Sequence, residues 1–315
     1  VVTSLIWNAT GITVVGVTGV SGSTPDKLNQ PTGLSIDSNG TLYIADQGNC
    51  RVQKWLSGAP NGTTMAGQPS VACGSGPSLL QIALGGFVVS NSNVYVVDTY
   101  NHRVQLWSYG ASFGTMVAGT GFSGPANNQL YYPSGIEMDP TTGTLYISDT
   151  WNNRIMRYLV NASSGTVVAG GNGPGTDSTQ LNYPMGIYLD VTSNSLYIAS
   201  YYSNNIVRWV IGATSWTLVA GDINGMSGNS ATMLHYPYDV EVDYMGNIYV
   251  TDSYNNRIQF FQAGSMNGTT IAGVTGVVGS DPYHLNYPFS LKLDSQLNLY
   301  VTDCYNHRIQ KFLHQ

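Results

Sequence analysis

A tyrosine in an "LY[IV]"-like segment recurs at Tyr43, Tyr95, Tyr146, Tyr197, Tyr249 and Tyr300, in steps of 51 or 52 residues. A fixed period of this length constrains the fold more than any other feature, because it marks an array of like supersecondary units. Near-copies of one stretch surround these tyrosines: "LYIADQGNCRVQKW" from 42, "VYVVDTYNHRVQLW" from 94, "LYISDTWNNRIMRY" from 145, "IYVTDSYNNRIQFF" from 248 and "LYVTDCYNHRIQKF" from 299. A weaker copy, "LYIASYYSNNIVRW", starts at 196. Upstream lies a second block, as in "LNQPTGLSID" and "LNYPMGIYLD", which is degenerate in the second unit, "LQIALGGFVV". Downstream lies a third, as in "GTTMAG" and "GTVVAG".

Each unit reads as four short β-rich runs separated by Gly, Asn and Pro turns, without a sustained 3.6-residue apolar period. Six such units predict an all-β chain with helices nearly absent: a six-bladed β-propeller of four-stranded antiparallel blades, one domain over residues 1–315. The chain stops after "NHRIQKFLHQ", the third run of its last unit. The missing fourth run stands at the other end, in "GITVVG" (11–16). The N-terminal strand is therefore expected to complete the last blade from outside and close the ring.

The pattern "P-x-G" followed by "LYI-x-D-x-x-N-x-R-[IV]" resembles the NHL-repeat family over essentially the whole chain. The resemblance implies a six-bladed propeller. It implies no single function, since propellers with this repeat serve in protein binding, RNA binding, cell-surface roles and lyase chemistry.

Asp46, Asp98, Asp149, Asp252 and Asp303 each stand five residues before an arginine: Arg51, Arg103, Arg154, Arg257 and Arg308. The pair brackets the turn between the second and third strands, where the carboxylate can accept turn N–H groups and face the guanidinium. Asn49, Asn101, Asn152, Asn255 and Asn306 suit left-handed turn geometry. Five symmetric copies argue for a support rather than a catalytic set. Two further aromatic series, the six tyrosines above and Trp55, Trp107, Tyr158, Trp209, Phe261 and Phe312, are expected to fill the core between blades. His102 and His307 fall in non-adjacent blades and are poor partners for a shared metal. No HExxH, CxxC pair, phosphate loop or nucleophile elbow is present.

Function is expected where symmetry breaks. In the fourth unit the turn residues become Ser200, Ser203 and Asn205, with Tyr201 and Tyr202 between them. Two residues past the turn Asp stand Tyr100, Trp151, Tyr202, Tyr254 and Tyr305, with Gly48 in the first unit; Tyr132, Tyr183, Tyr236 and Tyr287 precede the prolines. Tyr100, Trp151, Tyr201, Tyr202, Tyr254 and Tyr305 thus form a candidate recognition face, fit to stack on sugars or anchor a protein. Equally, such rings can pack blade on blade. Near the axis, Glu137, Asp239 and Glu241 are weak candidates for a Ca²⁺ site, with Lys292 placed to offset them; otherwise no cofactor is expected.

Five sequons, at Asn8, Asn39, Asn61, Asn161 and Asn267, fall in turns of the opposite face and point to N-glycosylation. Asn-Gly-Thr is also good hairpin chemistry. Among the three cysteines, a Cys50–Cys73 disulfide with Cys304 free is expected, with Cys50–Cys304 as the rival. A first residue of Val is compatible with a processed signal peptide.

The net charge of −6, with four Lys and seven Arg of which five sit at the turn position, argues against a nucleic-acid partner. No apolar run is long enough for membrane insertion. The reading that follows is a non-enzymatic extracellular glycoprotein, secreted or at the cell surface, used for adhesion, matrix or self-assembly into a filament. It binds a protein or glycan partner, including other copies of itself, through the face bearing the 2–3 turns. The alternative is a metal-dependent lyase or lactonase with its site at the channel mouth.

Overall fold

The structure, a computed structural model, describes residues 5–81, 86–90 and 92–315. The described strands form six antiparallel four-stranded sheets. Blade 1 shows the plan: an inner strand Pro31–Ile36, then Leu42–Asp46, Arg51–Trp55 and an outer strand Thr63–Gly67. The remaining inner strands are Phe87–Ser90, Ile136–Met138, Pro184–Asp190, Pro237–Val242 and Pro288–Leu293. The degenerate block of the second unit lies outside the described residues at positions 82–85. Among the described residues, helical geometry is confined to a single 3-10 turn between the second and third strands of each blade, such as Gln47–Asn49.

Ring closure takes the expected form. Strand Ile12–Gly16 pairs with Arg308–Phe312, in the register Ile12 to Lys311 and Gly16 to Arg308. The indole of Trp7 donates to the Leu297 carbonyl at 2.8 Å. Val15 is buried in the junction between blades 6 and 1, against Leu34 and Ile309.

The core lies between blades. Each apolar cluster joins two neighbours, as Tyr43, Val52 and Ala66 of blade 1 meet Phe87, Val96 and Trp107 of blade 2. Trp55, Trp107, Tyr158, Trp209, Phe261 and Phe312 are all 3 % exposed or less. Tyr95 and Tyr197 are only half-buried, so the other aromatic ring is less completely sealed. The glycine of the "AG" ending takes positive φ, +83° at Gly67, and a Cβ there would stand 2.4 Å from the Cys50 carbonyl. That contact explains why the third block ends in glycine.

Because the closing strand covers an edge that nothing else pairs, a chain beginning at Val17 is expected to unfold at a lower temperature and to associate. Calorimetry and light scattering check this. An unchanged, monomeric transition would contradict the closure.

Candidate functional site

The repeated polar residues form a buried clamp. In blade 3, Asp149 Oδ2 accepts from Arg154 Nε at 2.7 Å and from Asn152 Nδ2 at 2.8 Å, while Oδ1 accepts the Tyr131 N–H at 2.6 Å. The guanidinium then donates to the carbonyls of Pro125, Ala126 and Gln129. Tyr131 and these carbonyls belong to the connection entering the blade. The carboxylate thus ties that connection to the turn, rather than accepting N–H groups of its own turn. The same aspartate bonds recur at Asp46, Asp98, Asp252 and Asp303. All five carboxylates are 0 % exposed. Burial pushes them above the ordinary aspartate range, against the opposing pull of the asparagine, backbone and guanidinium donors.

The asparagines do not supply the left-handed residue. That conformation falls one place later, at Cys50, His102, Asn153, Asn204, Asn256 and His307, with φ between 50° and 56°. The asparagine must point inward to the Asp, so its neighbour takes the turn. The left-handed residues also join neighbouring blades. Asn153, Asn204 and Asn256 Oδ1 accept the N–H of Tyr183, Tyr236 and Tyr287 in the next blade, at 2.9, 2.9 and 3.0 Å. His102 and His307 do the same with Nδ1, for Tyr132 at 3.2 Å and Gln30 at 3.1 Å. Each residue they hold is itself left-handed, with φ between 44° and 60°, a strained setting worth about 1–3 kcal/mol apiece. At the sixth junction Cys50 instead bonds covalently to Cys73, on the connection into blade 2. The disulfide has the expected pairing, and Cys304 is a buried free thiol. The alternation of Asn and His at this position was the available sequence signal.

In blade 4 separate neutral bonds stand in place of the clamp, two side chains reaching the connection that enters the blade and one the connection that leaves it. Ser200 Oγ accepts the Asn182 N–H at 3.1 Å, Ser203 Oγ donates to Gly175 O at 3.2 Å, and Asn205 Nδ2 donates to Asp222 O at 3.2 Å.

On the face bearing these turns the tyrosines and Trp151 form an unbroken arc. Ring centroids are 5.6 Å apart for Tyr100–Tyr132, 5.1 for Tyr132–Trp151, 5.6 for Trp151–Tyr183 and 4.8 for Tyr183–Tyr202. The series continues through Tyr236, Tyr254, Tyr287 and Tyr305 at 5.6, 4.6, 4.9 and 5.3 Å. These rings pack on one another, yet Tyr100, Trp151, Tyr202, Tyr254 and Tyr305 remain 40–49 % exposed. Tyr201 is half-buried and stacks on Tyr236 at 4.6 Å and 8°. The arc stops at blade 1, where a Cβ on Gly48 would stand 2.5 Å from the Asn29 side chain. Two packing modes are thus combined in one surface.

The axial channel is lined by strand-1 residues, among them Thr32, Ser134, Glu137, Tyr238, Asp239 and Lys292. Neighbouring inner strands pack closely around it: a Cβ on Gly135 would stand 2.3 Å from the Met185 carbonyl of the next blade. Lys292 Nζ bonds Glu241 and lies 3.8 Å from Glu137, while Asp239 Oδ2 accepts from Ser290 Oγ at 2.8 Å. Lys292, Glu137 and Glu241 keep 15–23 % of their side-chain surface. Glu137 is raised to about 7, chiefly by burial, with Lys292 opposing the rise and Glu241 and Asp239 adding to it. Burial opposes the charge on Lys292, but Glu241, Glu137 and Asp239 outweigh it and hold the lysine above its ordinary value. Glu137 and Glu241 converge on an ammonium. Among the described residues, no three His, Cys, Asp or Glu side chains are grouped to hold a metal ion. The five sequon asparagines, Asn8, Asn39, Asn61, Asn161 and Asn267, are all exposed.

The NHL repeat profile matches residues 28–55, 234–261 and 285–312. A chloroplastic Arabidopsis thaliana protein, SUPPRESSOR OF QUENCHING 1, is 24 % identical over 304 residues, 90 % of this chain and 25 % of that protein. NHL repeat-containing protein 2 of Gallus gallus is 24 % identical over 349 residues, 91 % of this chain and 46 % of that protein. This chain therefore spans a quarter to about half the length of these relatives. Among solved structures, a Bacteroides thetaiotaomicron protein of unknown function superposes with a TM-score of 0.73 at 16 % identity, covering 97 % of this chain and 76 % of that one. Other similar folds are an auxiliary nutrient binding protein, a streptogramin B lyase and a gluconolactonase. At these identities the likeness is one of fold.

Arg257→Met leaves Asp252 buried without its partner and is expected to cost about 3–5 kcal/mol in chemical denaturation. Copying blade 4 by Asp252→Ser, Asn255→Ser and Arg257→Asn together is expected to cost less than that single change. An equal or larger loss would contradict the uncharged clamp.

The two histidines supply a pH test. Burial lowers them below the ordinary 6.5, opposed by Asp98 for His102 and Asp46 for His307. A depressed histidine pKa gives stability that is present above that ordinary value and lost as pH falls through the folded one. His102→Asn with His307→Asn is therefore expected to match wild type at alkaline pH and to lose less on acidification. Thermal midpoints across the range check it; parallel curves would contradict it.

Proposed function

Since the chain carries NHL repeats and folds as a six-bladed β-propeller, we propose that it is a recognition module whose partner docks on the aromatic arc. One observation carries this reading: five rings of a continuous aromatic series stay nearly half exposed although each contacts its neighbours. Rings that served only to weld the blades would be expected to bury more of their surface. Support from the fold is local, because the clamps and the bonds between blades hold the arc on rigid turns. Pre-organised aromatic groups bind with little loss of side-chain entropy.

The setting is extracellular. Five exposed sequons lie in turns of the other face and at the ring junction, and a disulfide joins the turn of blade 1 to the connection into blade 2. In this reading glycans cover one face and leave the aromatic face bare. A filament of copies stacked face to face is the assembly such a module would build, and the solution mass of the glycosylated protein tests it.

Labelled protein from a secreting eukaryotic host is expected to bind a cell surface, and Trp151→Ala with Tyr202→Ala to weaken that binding about tenfold or more. Tyr109→Ala on the opposite face is the control and is expected to change nothing. Peptide mapping of the same material should find the sequons glycosylated. Full binding by the arc variant, or sequons bare throughout, would contradict the respective part of the reading.

A further inference from the structure

We infer that the sector of the arc over blades 4, 5 and 6 receives an arginine- or lysine-bearing segment of a protein partner, an inference that rests on the aromatic face being the recognition surface. The connections entering the blades define the rim of this face. Those into blades 2 and 3 carry no charged residue, and that into blade 1 carries Asp26 beside Lys27. Those into blades 4, 5 and 6 carry Asp177, Asp222 and Asp281, the first and last exposed and the second half-buried. The basic side chains on these three connections are His284, 2.7 Å from Asp281, and His235 against Tyr254.

The cations nearby are already engaged. Arg257 and Arg308 are 3 % and 2 % exposed and spend their donors on the clamp. Blade 4 has Asn205 in that place. Arg208 bonds Ser195, and Lys311 lies 3.7 Å from Asp294, both toward the other face. Below the mouth, the channel sets Glu137, Asp239 and Glu241 against Lys292 alone. The sector therefore presents a negative field to an incoming chain.

The same sector has an aromatic path that the others lack. Tyr201 replaces the Gln47, Thr99, Thr150, Ser253 and Cys304 of the other blades. Its ring lies 4.6 Å from Tyr236 and 6.4 Å from the buried Tyr238, which contacts Phe289 at 4.3 Å, so aromatic contacts run inward from the arc to the channel, with Tyr201 and Phe289 half-buried along them. Guanidinium and ammonium groups gain from aromatic faces and from nearby carboxylates together. A neutral sugar would use the rings but gain nothing from the acid rim. Charge complementarity thus selects a basic protein segment.

The test is calorimetric titration of the whole chain with a short Arg-Gly repeat peptide, a Gln-Gly repeat of equal length and neutral glucose and N-acetylglucosamine oligomers. The Arg-Gly peptide is expected to bind, more weakly at high salt, while the Gln-Gly peptide and the oligomers do not. Combining Asp177→Asn, Asp222→Asn and Asp281→Asn should lower affinity about tenfold or more, whereas Asp139→Asn with Asp190→Asn on the opposite face leaves it unchanged. Circular dichroism confirms that each variant is folded, and Tyr201→Ser reports on the aromatic path. No binding of the Arg-Gly peptide, or binding indifferent to the rim substitutions, overturns the inference. Oligosaccharide binding that is lost in Trp151→Ala would overturn the basic ligand while leaving the recognition face intact.

Discussion

The buried aspartate in the 2–3 turn of five of the six blades is the interaction on which the rest depends. A carboxylate at 0 % exposure is tolerable only with its oxygens occupied, and it is occupied by an arginine, an asparagine and a backbone N–H. Those donors come from two places, the turn itself and the connection entering the blade. One desolvated charge therefore fixes two irregular segments that lie outside the four strands of the blade. The next residue can then adopt left-handed geometry and reach across to the following blade. Supports within blades and between blades are thus coupled, and the aromatic arc rides on both.

Departures from the repeat follow the same physics. Blade 4 drops both charges together, which avoids an unpaired buried ion and leaves a set of neutral hydrogen bonds. It also places a tyrosine where other blades have a small or polar residue. Blade 1 replaces a hydrogen bond between blades with a disulfide, at the junction whose inner strand has lost its proline motif. In the channel, a lysine among three carboxylates turns a candidate cation site into an ion-paired cluster.

Much of this was legible in the sequence because repetition is itself a measurement. Six aligned tyrosines gave the blade number, "GITVVG" gave the closure, and five Asp–Arg pairs pointed to a support. The exact donors of the clamp were not legible, since Tyr131 and the Pro125 carbonyl are brought in by the path of a loop with no motif of its own. The left-handed residue was misplaced by one position because Asn is common at both sites. His102 and Asn153 look unrelated as letters, yet each presents one acceptor at the same reach. Whether the tyrosines pack or bind could not be separated by pattern, and in the fold the rings contact each other and stay exposed.

Oxidative footprinting of the glycosylated protein, free and bound to a cell surface, tests the recognition face most directly. Protection of Tyr100, Trp151, Tyr202, Tyr254 and Tyr305, with Tyr109, Phe113 and Tyr244 unchanged, is the expected result. Protection of the second group with the arc still fully reactive would contradict it.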